Sequence, residues 1–251
     1  MVASFWGRNH CVAVSLQKYR EKWREVPGGN DDAPRRFTTD LINLADRELL
    51  AFWDDMAARR DASPLGFLQP LYRDFFRDRH TVDVGSGLGL DGMRFAMAGA
   101  RWTFADIAPS NLALLERVAT LKGLRDRVAF HLIADDLSFE AVAPVDAVIA
   151  IGSIHHVPFE MARRECANIL KRLKPDGRWL ELVYPRTRWE KEGRPAFEKW
   201  GAMTDGERTP WSEWYDLDKL RQRLAPEKLR TVLDFDFQGT DFHWFDLQRL
   251  G

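Results

Sequence analysis

Gly85, Gly87 and Gly89 form a turn between a β-prone run, Thr81-Val82-Asp83-Val84, and a helical stretch from Asp91 to Gly99. No other feature limits the possible folds as much. Glycines there let the backbone reverse within a few residues and let another group approach with no Cβ in the way. A strand feeding a helix through such a turn opens a β-α-β unit, the building block of parallel sheets. The chain continues in kind. Arg101 to Asp106 reads as a strand. Asn111 to Lys122 reads as a helix with Leu112, Leu115 and Ala119 on one face, and Arg127 to Ala134 as a strand. Val145 to Ile151 is almost wholly apolar, as a strand buried on both faces should be. Phe159 to Leu173 is a helix carrying Ala162, Cys166, Ile169 and Leu173 on one stripe. Lys174-Pro175-Asp176-Gly177 ends it, and Arg178 to Tyr184 is the next strand. Thr231 to Phe237 and Asp241 to Leu247 form an antiparallel hairpin at one sheet edge. The order predicts an α/β fold, doubly wound, with a mainly parallel sheet and helices on both faces.

The flanks differ in texture. Leu41, Ala45, Leu49, Phe52 and Met56 mark one stripe of a helix over Thr39 to Arg60. Val12 to Glu25 predicts a helix before the loop at Pro27-Gly28-Gly29, and Leu68 to Arg77 a short aromatic one. Residues 1–78 are therefore expected to form an N-terminal helical arm and 79–251 the sheet domain, with an insertion at about 186–215 that shows no clear periodicity.

Composition narrows the function. Among 251 residues, 37 Lys and Arg nearly cancel 38 Asp and Glu, so the net charge of -1 gives no sign of a nucleic-acid or anionic-membrane coat. The two cysteines, Cys11 and Cys166, exclude a disulfide framework and a cysteine-based zinc site, and the expectation is no bound metal. No run of about 18 apolar residues occurs, and Met1 to His10 lacks a secretion-signal layout, so a cytoplasmic, non-membrane protein is expected.

The acids at the strand ends carry the chemistry. Asp83 precedes the glycine turn. Asp106 ends the second strand, 21 residues after Gly85, where a carboxylate can accept both hydroxyls of a ribose; capping of the helix begun at Ala108-Pro109-Ser110 is the competing reading. The third strand ends in Ala134-Asp135-Asp136-Leu137. Either acid there can face an exocyclic adenine amine, with Ile107 and Ile133 or Leu137 about the ring, or belong to a solvated turn.

Val82 to Gly89, Phe104-Ala105-Asp106-Ile107, Asp135, Asp146 to Pro158 and Leu170 to Gly177 occur in order and at proper spacing. Together they resemble the class I S-adenosylmethionine-dependent methyltransferases, most closely small-molecule members of the ubiquinone/menaquinone-biosynthesis-like branch. Asp83 to Gly89 is similar to that family's first motif and Gly152-Ser153-Ile154-His155-His156-Val157-Pro158 to its strand-four signature. Leu173-Lys174-Pro175-Asp176-Gly177 is similar to its Leu-Lys-Pro-Gly-Gly turn, with Asp176 in place of the first glycine. The resemblance covers about residues 70–184 and the terminal hairpin. It implies a Rossmann-like sheet of seven strands and S-adenosyl-L-methionine as cofactor. It implies that Gly85, Ser86, Gly87 and Gly89 cradle the methionine moiety and that Asp83 holds its ammonium. Asp106 and Ile107 would take the ribose and adenine. Asp135 or Asp136 would face the adenine amine, and Ile151 and Gly152 the amino-acid end. The N-terminal arm would be a lid.

Methyl transfer needs alignment above all, and a base only where the acceptor is protonated. His155 and His156 are adjacent and would point oppositely on an extended strand end. His155 is the candidate base, His156 a structural residue, and Tyr184 a second catalytic candidate at the same mouth. Of ten tryptophans, Trp6 and Trp23 crowd the N-terminal arm and Trp189, Trp200, Trp211 and Trp214 the stretch after strand five. Of these Trp6, Trp189 and Trp214, with His155 and Tyr184, are the candidate acceptor contacts, against the alternative of ordinary lid packing. The leading expectation is methyl transfer to an O or N atom of a small molecule. An RNA or protein methyltransferase is disfavoured by the balanced charge and by Gly152-Ser153-Ile154-His155 at strand four. A cyclase or lyase acting on the cofactor itself, or a silent cofactor-binding module, stays open. Acceptor and oligomeric state are not legible.

Overall fold

The computed structural model describes residues 15–26 and 35–251. Seven strands form the central sheet: β3 (His80–Val84), β4 (Arg101–Asp106), β5 (Val128–Leu132), β6 (Val145–Ile151), β7 (Leu173–Val183), β8 (Leu229–Phe237) and β9 (Phe242–Arg249). Their spatial order is β5-β4-β3-β6-β7-β9-β8. The first five are parallel, whereas β9 runs antiparallel between β7 and β8. The sheet is the Rossmann-like, seven-stranded one expected, with the hairpin at its edge. The chain moves outward from β3 to β5 and then crosses back to β6 on the other side of β3. That reversal opens a crevice at the carboxyl ends of β3 and β6, where open α/β sheets bind ligands.

One face of the sheet carries α3 (Asp46–Ala62), α4 (Leu68–Phe76), α5 (Leu90–Met97) and α6 (Pro109–Leu121). Trp53, Phe76, Phe95, Trp102 and Phe104 fill this core. The other face carries α1 (Gln17–Trp23), α7 (Phe159–Leu170) and α10 (Leu217–Leu224). Its core holds Tyr19, Phe139, Cys166, Trp179 and Tyr215. The stripe Ala162, Cys166, Ile169 is fully buried, so the helical periodicity there reports burial directly. A short ribbon of β1 (Glu25–Val26) and β2 (Arg36–Phe37) follows α1, and α2 (Thr38–Leu41) leads to α3.

Several boundaries shift from the sequence expectation. Thr39 to Arg60 is not one helix: it breaks at Asn43-Leu44, and α3 restarts at Asp46, where the Glu48 carboxylate accepts the Ala45 amide. Lys174 to Gly177 does not stop the chain direction. Asp176 sits at φ +60 as an irregularity within β7, whose pairing with β6 shifts register between Val145 and Ala147. Residues 186–215 are not structureless. They fold as α8 (Arg186–Lys191) and α9 (Phe197–Asp205), each too short to show a period. Among the described residues no helix is long and apolar enough to cross a membrane.

Candidate active site

The three loop glycines do different work. A Cβ on Gly85 would lie 2.3 Å from the Ser153 Cβ, so this glycine lets β3 and β6 end against each other. A Cβ on Gly89 would lie 2.5 Å from Leu115 and 2.9 Å from Phe104, so this one lets α5 pack on the sheet. Gly87, at φ +51, has nothing within 4 Å of the Cβ position. Only at Gly87 does the missing side chain face open space. Ser86 ties the turn together, its hydroxyl donating to the carbonyls of Asp83 (2.9 Å) and Ala105 (3.2 Å). Trp53 of α3 braces the turn from behind by donating to the Leu88 carbonyl at 3.0 Å.

A cavity of about 330 Å³ opens above this turn, lined by residues from β3, β4, β6, α3, α7 and the first ribbon. Asp83 lies on its floor, fully buried. Burial pushes its carboxyl up to about 7, with Asp91 and Asp106 adding to the rise and the Trp102 indole N–H (3.2 Å) opposing it. Arg60, the cation that acts on it, is bound to Asp91, so the carboxylate stays matched to an incoming cation. Asp106 is also buried. One of its oxygens accepts the Ala108 amide at 2.8 Å; the other accepts the Gly87 amide and the Asn111 side chain, each at 3.1 Å. Asp106 thus holds the chain just before α6, through the Ala108 amide, and lines the cavity as well. Burial raises its pKa and these hydrogen bonds pull it back.

Ile107, Ile133, Ile151 and Gly152 line the cavity as well. Asp135 and Asp136 do not. Asp135 is drawn outward to Arg20 of α1 (2.8 Å), and Asp136 accepts the Ser138 amide at 3.0 Å as a turn residue. Arg20 also donates to the Ile107 and Ile133 carbonyls at 3.1 and 3.4 Å, so α1 lies across the loops after β4 and β5.

The histidines correct the sequence reading. Ile154 to His156 is a 3-10 turn rather than extended chain, so the two rings do not diverge but pack 4.2 Å apart. His155 lies outside the cavity lining with 0% exposure, its ring 4.5 Å from Tyr184. Burial, reinforced by His156 and Arg223, holds it well below the usual imidazole range. Tyr184 is inside the wall too, but its hydroxyl donates at 3.0 Å to Asp205, which does line the cavity. Trp189 and Trp214 pack against each other at 5.9 Å in a cluster with Phe197, away from the cavity. Trp6 lies outside the described residues; the tryptophan that lines the cavity is Trp23.

Residues 82–179 match a family model described as a methyltransferase domain. The ubiquinone biosynthesis O-methyltransferase of Xylella fastidiosa strain M23 is 33% identical over 172 residues, covering 64% of this chain and 66% of that one. The chain belongs to the class I S-adenosylmethionine-dependent methyltransferases. It spans only 55% of the length of the protein of that name from strain 9a5c, at 34% identity over 146 residues. Among solved structures, the N-methyltransferase NodS of Bradyrhizobium japonicum, in complex with S-adenosylhomocysteine, superposes with a TM-score of 0.55 at 13% identity. That match covers 84% of this chain and 96% of that one. The [4+2]-cyclase SpnF superposes with 0.57 at 16% identity, covering 74% and 82%. A fold shared by both names carries no reaction by itself.

The residues that line the cavity fit S-adenosylmethionine. Gly87 leaves room where a Cβ would intrude, Asp83 suits an ammonium, and Asp106 suits a ribose. Sequence reasoning missed Arg60, Asn111, Glu165 and Asp205. Arg60 pairs with Asp91 at 2.7 Å beside the loop. Asn111 donates to Asp106 and to the Trp23 carbonyl. Glu165 lines the cavity from α7, and burial pushes its carboxyl up to about 7. Its place beside the stripe of Ala162 and Cys166 was the available signal. Asp205 ends an α9 that has no pattern to read. Among the described residues no group of three His, Cys, Asp or Glu could hold a metal ion.

Proposed function

We propose that this methyltransferase moves the methyl group of S-adenosylmethionine to an O or N atom of a small-molecule acceptor by in-line displacement. The observation that carries the reading is the cavity itself. One end holds the buried acids Asp83 and Asp106 about an open Gly87, and the other opens toward Trp23, Arg35 and Asp205. The first end suits the cofactor. Asp83 takes its ammonium, Gly85 and Gly87 pass beneath the methionine moiety, Ile151 and Gly152 meet its amino-acid end, Asp106 accepts the ribose hydroxyls, and Ile107 and Ile133 sandwich the adenine. Asp135 contributes by pinning α1 rather than by facing the ring. Bound there, S-adenosylmethionine supplies an electrophilic methyl on a sulfonium whose leaving group is a neutral thioether. The chain's task is then to exclude water and aim the acceptor. α1 supports the first through Arg20, and Trp23 the second. The near-balanced charge favours a small acceptor over a nucleic acid. We assign residues 1–78 to an arm over this crevice and 79–251 to the cofactor domain, in a cytoplasmic setting.

Three incubations with S-adenosylmethionine, read by mass spectrometry, test the proposal: cofactor alone, with a low-mass metabolite extract, and with a macromolecular extract. S-adenosylhomocysteine arising only with the low-mass extract is expected. Its appearance only with macromolecules, or methylthioadenosine from cofactor alone, overturns the reading.

A further inference from the structure

At the acceptor end of the cavity the hydrogen bonds fix the direction of a proton. His156 is 2% exposed, and its Nδ1 has two neighbours, the Trp211 carbonyl at 3.1 Å and the Ser212 hydroxyl at 3.0 Å. The carbonyl only accepts. Thr204 donates to the Trp200 carbonyl at 3.0 Å, which leaves its oxygen open to the Ser212 proton at 3.0 Å. The Trp211 carbonyl calls for a proton on Nδ1, and Ser212 then accepts beside it, which leaves the lone pair of the neutral ring on Nε2. Nε2 sits 3.7 Å from Oδ2 of Asp205. That same oxygen receives the Tyr184 hydroxyl, so Oδ1 is the oxygen left for an acceptor. Trp23, in the cavity wall, packs on the His156 ring at 4.6 Å.

Resting on the methyl-transfer reading, we infer that Asp205 is the catalytic base of the reaction and His156 the positioning residue behind it, so that the acceptor is a hydroxyl or ammonium that must lose a proton. The acceptor's X–H proton passes to Oδ1 of Asp205 as the new X–C bond forms and the sulfonium C–S bond breaks. Asp205 gives the proton up to solvent when product leaves, which restores the carboxylate, while the neutral His156 ring, 3.7 Å from Oδ2, keeps the carboxylate in place. The surrounding charges suit this. Lys22 donates to the Asp205 carbonyl at 2.9 Å, and Arg35 and Arg208 flank Glu25 in the same wall. Of these cations Arg35 lines the cavity, where it can meet an anionic group of the acceptor. Burial and the cations Arg35 and Lys22 lower the pKa of His156, while Asp205 alone among its charged neighbours raises it.

The test uses the full chain in two measurements. Nitrogen-15 NMR of the imidazoles should find neutral His156 protonated at Nδ1, and Asp205→Asn should move its titration further toward acid. An Nε2-protonated ring, or an unmoved titration, overturns the assignment. The second measurement compares wild type, Asp205→Asn and Tyr184→Phe with 3,4-dihydroxybenzoate as the probe acceptor. Asp205→Asn should lower the transfer rate ~100-fold or more, the range of general base catalysis. It should flatten the acid limb of the pH–rate profile and leave S-adenosylhomocysteine affinity within threefold. Tyr184→Phe, which keeps the carboxylate, should lower the rate less than tenfold. Equal rates in wild type and Asp205→Asn sink the base. A wild type that binds S-adenosylhomocysteine yet methylates nothing counts against methyl transfer itself, and the tautomer then still decides the pair.

Discussion

Cofactor affinity should depend on pH through Asp83, and the size of the effect follows from its burial. The carboxyl is pushed up to about 7 from 3.8 because it is fully enclosed. Only the ionised form matches an ammonium. The ionised fraction of a group titrating near 7 falls from about 0.5 at pH 7.0 to about 0.03 at pH 5.5, a loss of about 15-fold, or ~1.6 kcal/mol. An α-amino group stays mostly protonated over this range, so the ligand's charge contributes little. Calorimetry with S-adenosylhomocysteine at pH 5.5, 6.2 and 7.0 reads the change. Asp83→Asn should bind weakly and with a flat profile. Any slope it retains belongs to Glu165, which burial pushes up to about 7, and to Asp106, which burial also raises. The contribution of Asp83 to the stability of the empty protein should have the opposite sign. The folded carboxyl keeps its proton between about pH 4 and 7 while the unfolded one loses it, so this contribution falls as pH rises through that window. A wild-type affinity constant within twofold from pH 5.5 to 7.0 would refute this reasoning.

Other outcomes are equally specific. Asp106→Ala should weaken cofactor binding at least tenfold and lower the melting temperature as well, since Asp106 also caps the Ala108 and Gly87 amides; unchanged calorimetric affinity removes it from the ribose site. Gly87→Val should abolish binding with only a modest loss of stability from the strained φ, because its side chain meets no protein atom. Gly89→Ala, driven into Leu115 and Phe104, should cost about 1–3 kcal/mol of stability in denaturant titrations. Arg223 and Glu181 are both at 0% exposure and paired, so Arg223→Met alone should cost about 3–5 kcal/mol, and the double change with Glu181→Leu should recover much of it. Equal melting curves for the single and double variants would contradict that.

The centre of the sheet was legible because β3, β4 and β6 are buried on both faces and the helices on one stripe. Val145 to Ile151 and the Ala162–Cys166–Ile169 stripe carry that burial in their composition. The end of the cavity at Asp83, Gly87 and Asp106 was legible for a related reason. A glycine turn after an acid, and an acid at the next strand end, are local features set by backbone geometry. The end at Trp23, Arg35 and Asp205 was not, because it is assembled from afar. Trp23, Tyr184 and Asp205 meet only through tertiary contacts. His155 and His156 exchange places in importance because three residues adopt a 3-10 turn where extended chain was expected. Trp189 and Trp214 were conspicuous by type, yet aromatic residues are as useful for packing α8 and α9 as for holding a ligand.

The position of α1 ties three parts of the chain to one short helix. Arg20 donates to the Ile107 and Ile133 carbonyls and pairs with Asp135, Asn111 holds the Trp23 carbonyl from beneath, and Trp23 lines the cavity. Opening that wall breaks these bonds together, so the seven-residue helix should exchange its amides as one unit with the loops after β4 and β5.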